Sequence, residues 1–271
     1  MSERIVTLTD PLDSRLADYR DLKERDLSAE GGRFVAESER VVRRLLASPL
    51  RVHSLLVTAT RLASLGDAIN RSTIPSTFPI FVATQAVMDA IAGFHVHRGC
   101  LAIGERDSEA TVPSSSRTVL ILEDLVDADN LGACVRNGAA FGIDALVLSP
   151  RAADPFYRKA IRVALGSTFA LPIVRLRDWP EDLLDLKVQL GLRLIGAVLD
   201  DRAIPLPAYR RPERIGLLLG AEGPGLSRAA VAACDDLITI PMSPGADSLN
   251  VGTAGAIALY HLQQASAARS P

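Results

Sequence analysis

The chain has 271 residues, 48% of them hydrophobic and 23% charged; this is ordinary globular composition, with enough length to bury a core in each of two domains. Its 30 Lys and Arg against 32 Asp and Glu leave a formal net charge of −2, so a nucleic-acid site has to be a local basic surface and not a global field. Cys100, Cys134 and Cys234 form no CxxC pair and read as small buried hydrophobes in a reducing compartment; neither a disulfide framework nor a metal is expected. His95 and His97 have no third ligand type near them and read as a strand or turn pair. Met1 to Asp10 lacks the apolar core of a signal peptide, and no run reaches the ~18 apolar residues of a membrane span, so a cytoplasmic protein is expected.

The N-terminal part, residues 1–104, reads as mixed α/β. Leu12 to Asp26 has scattered apolar positions and many charges, which suggests a surface helix. Arg33 to Glu37 is a short strand candidate, and Glu39 to Ala47 a helix. At 100° per residue Val41, Val42, Leu45 and Leu46 share one face of that helix, while Arg40, Arg43 and Arg44 share the other. The three arginines make a compact positive patch, a candidate phosphate contact for RNA or simply a solvated helix face. Val52 to Val57, Ile80 to Val82 and Cys100 to Ile103 read as strands. Residues 105–117, with the polar run ERDSEATVPSSSR, read as a linker.

From residue 118 to 271 strands and helices alternate. Strands are expected at Thr118–Glu123, Ala145–Leu148, Ile173–Leu176, Leu194–Leu199, Ile215–Leu219 and Leu237–Met242. Helices are expected at Asn130–Phe141, from an N-cap at Asp154 and Pro155 to about Leu165, and at Glu181–Leu190, Leu226–Cys234 and Asn250–Gln264. Near-continuous apolar strands alternating with helices imply a parallel sheet covered on both faces, with ligands beyond the carboxyl ends of its strands.

Three loops after strands can therefore carry chemistry: EDLVDADNLGACVR (Glu123 to Arg136), GAEGPGLS (Gly220 to Ser227) and IPMSPGADSLNV (Ile240 to Val251). In the first, Arg136 has the small neighbours Gly132 and Ala140, so its planar fork can be approached closely by a phosphate or carboxylate; it could equally be a surface arginine, and Asn130 a plain helix cap. The second nearly fits the phosphate-binding pattern GxxxxGK[ST], but Leu226 stands where the lysine belongs, and Glu222 would repel phosphates. Its glycines still permit close backbone approach to a ligand. In the third, Ser248 or Asn250 is positioned to cap the last helix. No glycine-rich turn follows the Thr118 strand, which excludes the common dinucleotide-type cofactor folds.

Taken together, DADNLGACVRNGAAFG (Asp127 to Gly142), LLLGAEGPGLS (Leu217 to Ser227) and IPMSPGADSLNVGTAGAIALYHL (Ile240 to Leu262) resemble, in order and spacing, the three motifs of the SpoU/TrmH branch of the SPOUT methyltransferases. One departure is Ala128, where the family usually has proline. The N-terminal part resembles, through Arg33–Glu37 and Gly99–Ala102, the small ribosomal-protein-like domain that often precedes this catalytic domain. The resemblance implies an α/β fold whose parallel sheet ends in a C-terminal trefoil knot, a homodimer with composite active sites, and S-adenosylmethionine as cofactor. It implies that Gly220, Ile240, Met242 and Leu249 cradle the cofactor, that Arg136 approaches the target ribose, and that Asn130, Glu222, Ser248 and Asn250 order the site, with no metal. The implied activity is 2'-O-methylation of a ribose in structured RNA, ribosomal RNA being favoured over transfer RNA by the extra N-terminal domain. Three other readings remain: a catalytically silent RNA-binding relative, a base methyltransferase of the same fold, and an ATP-dependent transferase, which the missing P-loop lysine disfavours.

Overall fold

The computed structural model describes residues 4–22, 27, 32–71, 78–93, 96, 99–106 and 110–267. His95 and His97, and residues 107–109 of the expected linker, lie outside these. The chain divides into two compact units, Met1–Ser108 with Asp154–Ala170, and Glu109–Ala153 with Leu171–Pro271. The segment Asp154–Ala170, which alternation of strand and helix places with the C-terminal part, therefore packs into the first unit.

The first unit is built on a five-stranded sheet of order β1-β4-β3-β5-β2, where β1 is Ile5–Thr7, β2 Arg33–Glu37, β3 Arg51–Val57, β4 Ile80–Val82 and β5 Cys100–Glu105. β4 pairs in parallel with β1 and β3, whereas β5 pairs antiparallel with β3 and β2. Helix α1 (Glu39–Leu46) buries Val41, Val42, Leu45 and Leu46, as the 100° spacing predicts. Helices α2 (Ala59–Arg71) and α3 (Gln85–Ala92) were not among the expected elements, although Leu65 and Ile69 in the first and Met88, Ile91 and Ala92 in the second lie at helical spacing and are buried. The expected helix at Leu12–Asp26 is, within the described residues, a 3-10 helix at Ser14–Tyr19, and its Leu16 and Tyr19 are buried in the core instead of facing solvent. Helix α4 (Arg158–Val163) joins the same unit. It starts later than expected: Asp154 accepts from the Phe156 backbone at 2.8 Å and does not cap the helix. The segment is held by apolar and ionic contacts together. The Phe34 ring lies 5.0 Å from Phe156 and 5.1 Å from Phe169, and Arg158 pairs with the buried Glu37 at 2.8 Å.

The second unit carries a seven-stranded sheet of order β10-β12-β9-β11-β6-β7-β8. Its strands are β6 (Thr118–Leu122), β7 (Ala145–Leu148), β8 (Ile173–Arg175), β9 (Arg193–Ala197), β10 (Ile204–Pro205), β11 (Ile215–Leu219) and β12 (Asp236–Thr239). Every pairing is parallel. All residues of β6, β7 and β11 are buried, because helices cover both faces: α5 (Ala128–Ala140), α6 (Glu181–Leu190), α7 (Arg228–Ala233) and α8 (Val251–Ala267). Leu122 of β6 is in register with both Leu219 of β11 and Leu148 of β7, so these three strands end side by side. The residues that follow them, Glu123, Gly220 and Ser149, consequently share one rim of the sheet. β11 enters between β6 and β9, two strands that precede it in the chain, which brings the second loop to the middle of that rim.

Candidate active site at the carboxyl ends of the strands

Each loop is fixed by local chemistry before any ligand is considered. Helix α5 begins at Ala128, two residues earlier than expected, because Asp127 caps it: the carboxylate accepts from the backbone N–H groups of Asp129 and Asn130, both at 2.9 Å. The Asn130 side chain is thus released from capping. Its Oδ1 accepts from Asn250 Nδ2 at 2.8 Å. The same Nδ2 donates to Glu222 Oε1 at 3.1 Å, while Asn250 Oδ1 accepts from Gly252 N at 3.0 Å and Thr253 N at 3.3 Å. Asn250 therefore caps α8 with its oxygen and joins the other two loops with its nitrogen. A second tie lies two turns along α5, where Asn137 Nδ2 donates to the Gly252 carbonyl at 2.8 Å.

The middle loop is a tight reversal. Gly225 N donates to the Ala221 carbonyl at 2.9 Å, and Gly223 and Gly225 take φ values of +86° and +69°, the left-handed region that glycine tolerates. Gly220 is required for a different reason: a Cβ there would fall inside the van der Waals radii of the Gly225 carbonyl and the Leu226 nitrogen, which are backbone and cannot step aside. At the end of β6 the buried Glu123 carboxylate accepts from Ser227 N at 2.8 Å, Ser227 Oγ at 2.6 Å and Trp179 Nε1 at 2.6 Å.

Between the second and third loops and the segment after β9 lies a cavity of about 700 Å³. Its lining includes Leu199, Leu226, Ile238, Ile240, Met242 and Leu249, together with Gly220 and the acidic residues Asp200, Glu222 and Asp247. All four residues expected to cradle a cofactor, Gly220, Ile240, Met242 and Leu249, line it, as do Glu222, Ser248 and Asn250. Asn130 and Arg136 do not. A cavity of this size with apolar walls and a few polar groups suits a small organic ligand.

A family model described as the SpoU rRNA Methylase family matches residues 117–260. The chain belongs to the SpoU family. It is 42% identical over 266 residues to a protein named an uncharacterized tRNA/rRNA methyltransferase of Mycobacterium tuberculosis, covering 94% of this chain and 91% of the relative. It is 29% identical over 250 residues to the 23S rRNA (guanosine(2553)-2'-O)-methyltransferase RlmP of Bacillus subtilis, covering 92% and 96%. Among solved structures, the AdoMet-bound rRNA methyltransferase of Sinorhizobium meliloti superposes with a TM-score of 0.82 at 22% identity, covering 96% of this chain and 98% of that one, a likeness of fold.

Within this SpoU chain Arg136 stands apart from the Asn130–Asn250–Glu222 cluster. It is exposed on α5 and, among the described residues, has no hydrogen bond or ion pair. Glu222 instead meets Asn250, whose Nδ2 donates to its Oε1 at 3.1 Å. Two of the three arginines of α1 have partners within their own unit. Arg43 bonds to Glu39 at 3.0 Å, to Asp67 at 2.8 Å and to the Ser64 carbonyl, and these contacts hold both carboxylates below their usual range. Arg44 donates to the Leu165 carbonyl at 2.8 Å and to Ser167 at 3.0 Å. Arg40 alone of the three is exposed and free of partners among the described residues.

Burial pushes the thiols of Cys100, Cys134 and Cys234 up to about 12, so they are inert small hydrophobes at neutral pH. Among the described residues no group of three or more His, Cys, Asp or Glu could hold a metal ion, and no helix is long and apolar enough to cross a membrane. Glu123, Trp179, Ser227 and Asn137 are the site-forming residues that sequence reasoning did not assign. One signal was available for Glu123: a carboxylate directly following the apolar run Val-Leu-Ile-Leu needs partners waiting for it.

Proposed function

We propose that this SpoU-family chain is an S-adenosylmethionine-dependent methyltransferase that acts on a ribose 2'-hydroxyl of RNA, ribosomal RNA before transfer RNA. The observation that carries the reading is the convergence of Asn130, Glu222 and Asn250, one from each of the three motif loops, beside a cavity lined by Gly220, Ile240, Met242 and Leu249. Relatives named as ribose 2'-O-methyltransferases of 23S rRNA support the substrate class.

The cavity fits the cofactor in its chemistry. Apolar side chains can take a purine ring, the missing Cβ of Gly220 lets the loop backbone close on itself beside the cavity, and Asp200, Glu222 and Asp247 offer negative charge to a cationic sulfonium and ammonium. When bound, the cofactor supplies an electrophilic methyl group. The protein's part is alignment of the hydroxyl, which can contribute ~7–11 kcal/mol, and stabilisation of the charge that develops on its oxygen. Arg136 is assigned the second task. Arginine keeps its proton to a pKa above ~12, so it acts as a fixed positive fork on an alkoxide and a neighbouring phosphate and not as a simple base.

Arg136 lies outside the cavity wall of its own chain, which favours a homodimer with composite sites. Exposed Ile257 and Tyr260 on α8, with Tyr260 packed edge-on against Phe141 at the end of α5, give a second copy an apolar surface beside that helix. Membership of the SpoU family supports a knotted C-terminal path, and the first unit is assigned to RNA selection, with Arg40 as its candidate phosphate contact. A cytoplasmic location follows from the substrate.

The test is incubation with methyl-labelled S-adenosylmethionine and unmodified total RNA. Label recovered as a 2'-O-methyl ribose is expected. Label on a base overturns the ribose assignment, and absence of both label and cofactor binding leaves a silent RNA-binding relative.

A further inference from the structure

Glu123 is 3% exposed, yet it is a carboxylate that directly follows the apolar run Val119–Leu122 of a fully buried strand. A buried carboxylate is tolerated only where donors surround it. Here one oxygen accepts from Trp179 Nε1 and Ser227 Oγ, both at 2.6 Å, and the other from Ser227 N at 2.8 Å. Ser227 is the last residue of the loop that begins at Gly220, and it is the cap of α7, accepting from Ala230 N at 3.1 Å. The backbone leaving the strand is also specified. Asp124 takes a φ of +52° and is held there by Ser149, whose Oγ accepts from Asp124 N at 2.8 Å and donates to Asp124 Oδ1 at 2.9 Å. The loop is thus clamped at both ends, by close backbone packing at Gly220 and by the Glu123 carboxylate at Ser227. Between the clamps lie Glu222, which reaches Asn250, and Gly223, Pro224 and Gly225 of the cavity wall.

We infer that Glu123 is a positioning residue for cofactor binding: through Ser227 it sets the conformation of residues 220–227 that form one wall of the cavity, and Trp179 orients it. The inference rests on the reading of the cavity as the cofactor site. Glutamine cannot replace Glu123, because an amide offers two donors to a place where three donors already point, so at least one N–H or O–H is left unmatched.

The experiment is calorimetric titration of the full chain with S-adenosylmethionine, with thermal midpoints and steady-state methyl transfer measured on the same samples. The variants are Ser227→Ala, Ser227→Thr, Glu123→Gln and Trp179→Phe. The expected result is a Kd for cofactor raised about tenfold or more in Ser227→Ala and Glu123→Gln. KM for cofactor rises with it, and kcat at saturation stays close to wild type. Ser227→Thr keeps both donors and returns the Kd to near wild type. If Glu123→Gln fails to fold, Ser227→Ala and Trp179→Phe still decide, each removing one donor. Variants that melt earlier but bind with wild-type Kd, or Ala and Thr that behave alike at position 227, overturn the inference and leave the cofactor site standing. A wild-type chain that binds no cofactor overturns both.

Discussion

Asn250 donates to Asn130 across 2.8 Å of space and 120 residues of sequence. Both side chains are amides on helix starts, where asparagine is common for capping alone. Only one of them caps: Asp127 has taken that role on α5, so Asn130 is available as an acceptor, and Asn250 performs both tasks. Asn250→Asp retains the oxygen that caps α8 but loses the Nδ2 donor and sets a negative charge beside Glu222. Methyl transfer is expected to fall by tenfold or more with a thermal midpoint near wild type, whereas Asn250→Ala adds a capping loss of about 1 kcal/mol. Denaturation and labelled-methyl transfer on both variants separate the two roles. Equal activity in wild type and Asn250→Asp would show the bridge to be idle.

Gly220 and Gly223 make a matched pair for testing the middle loop. Gly220→Ala forces a methyl group into the Gly225–Leu226 backbone, so a stability loss of about 1–3 kcal/mol and collapse of cofactor affinity are expected. Gly223→Ala meets open space and carries only the strain of a φ of +86°, about 1 kcal/mol. Calorimetry should find cofactor affinity strongly reduced in the first and retained within a few fold in the second.

The motif loops were legible because their residue types are chemically unusual for loops that only connect: an amide, a carboxylate and glycines at the ends of buried strands. The strands of the second unit were legible for the same reason that they are buried, unbroken apolar runs such as Val-Leu-Ile-Leu. The placement of Asp154–Ala170 was not. Nothing local distinguishes α4 from the other helices of an alternating pattern; its home is decided by Phe156 and Phe169 meeting Phe34, more than 120 residues earlier, and by Arg158 meeting Glu37. The partners of the α1 arginines were not legible for a related reason. Helical spacing gives the face of Arg43 and Arg44 correctly, but not that Asp67 and the Leu165 carbonyl stand opposite it.

Acid sensitivity of the second unit is expected to involve Asp236. Arg193, bonded through its guanidinium at 2.8 Å, and the Tyr209 hydroxyl at 2.7 Å lower the carboxyl below its ordinary value of 3.8. A folded-state pKa below the unfolded one stabilises the fold fully above the unfolded value, and the contribution disappears as pH falls through the folded value. The stability difference between wild type and Asp236→Asn should therefore be constant from neutral pH down to about pH 5 and shrink from about pH 4 downwards. Urea titrations at a series of pH values measure it. A difference that grows on acidification contradicts the assignment.

Arg136 offers the sharpest functional test, because it is exposed and bonded to nothing among the described residues, so its loss removes no contact of the described fold. Arg136→Ala is expected to keep its unfolding free energy within about 0.5 kcal/mol of wild type. It should bind S-adenosylmethionine with unchanged Kd, since the residue does not line the cavity, and lose transfer by at least about a hundredfold. Arg136→Lys distinguishes charge from geometry. Lysine restores the positive charge but not the planar fork that can hold an alkoxide and a phosphate together, so recovery should be only partial. If lysine restores full turnover, a point charge is sufficient and the two-oxygen grip is wrong. If alanine retains near-normal turnover, charge stabilisation of the ribose oxygen has to come from another group.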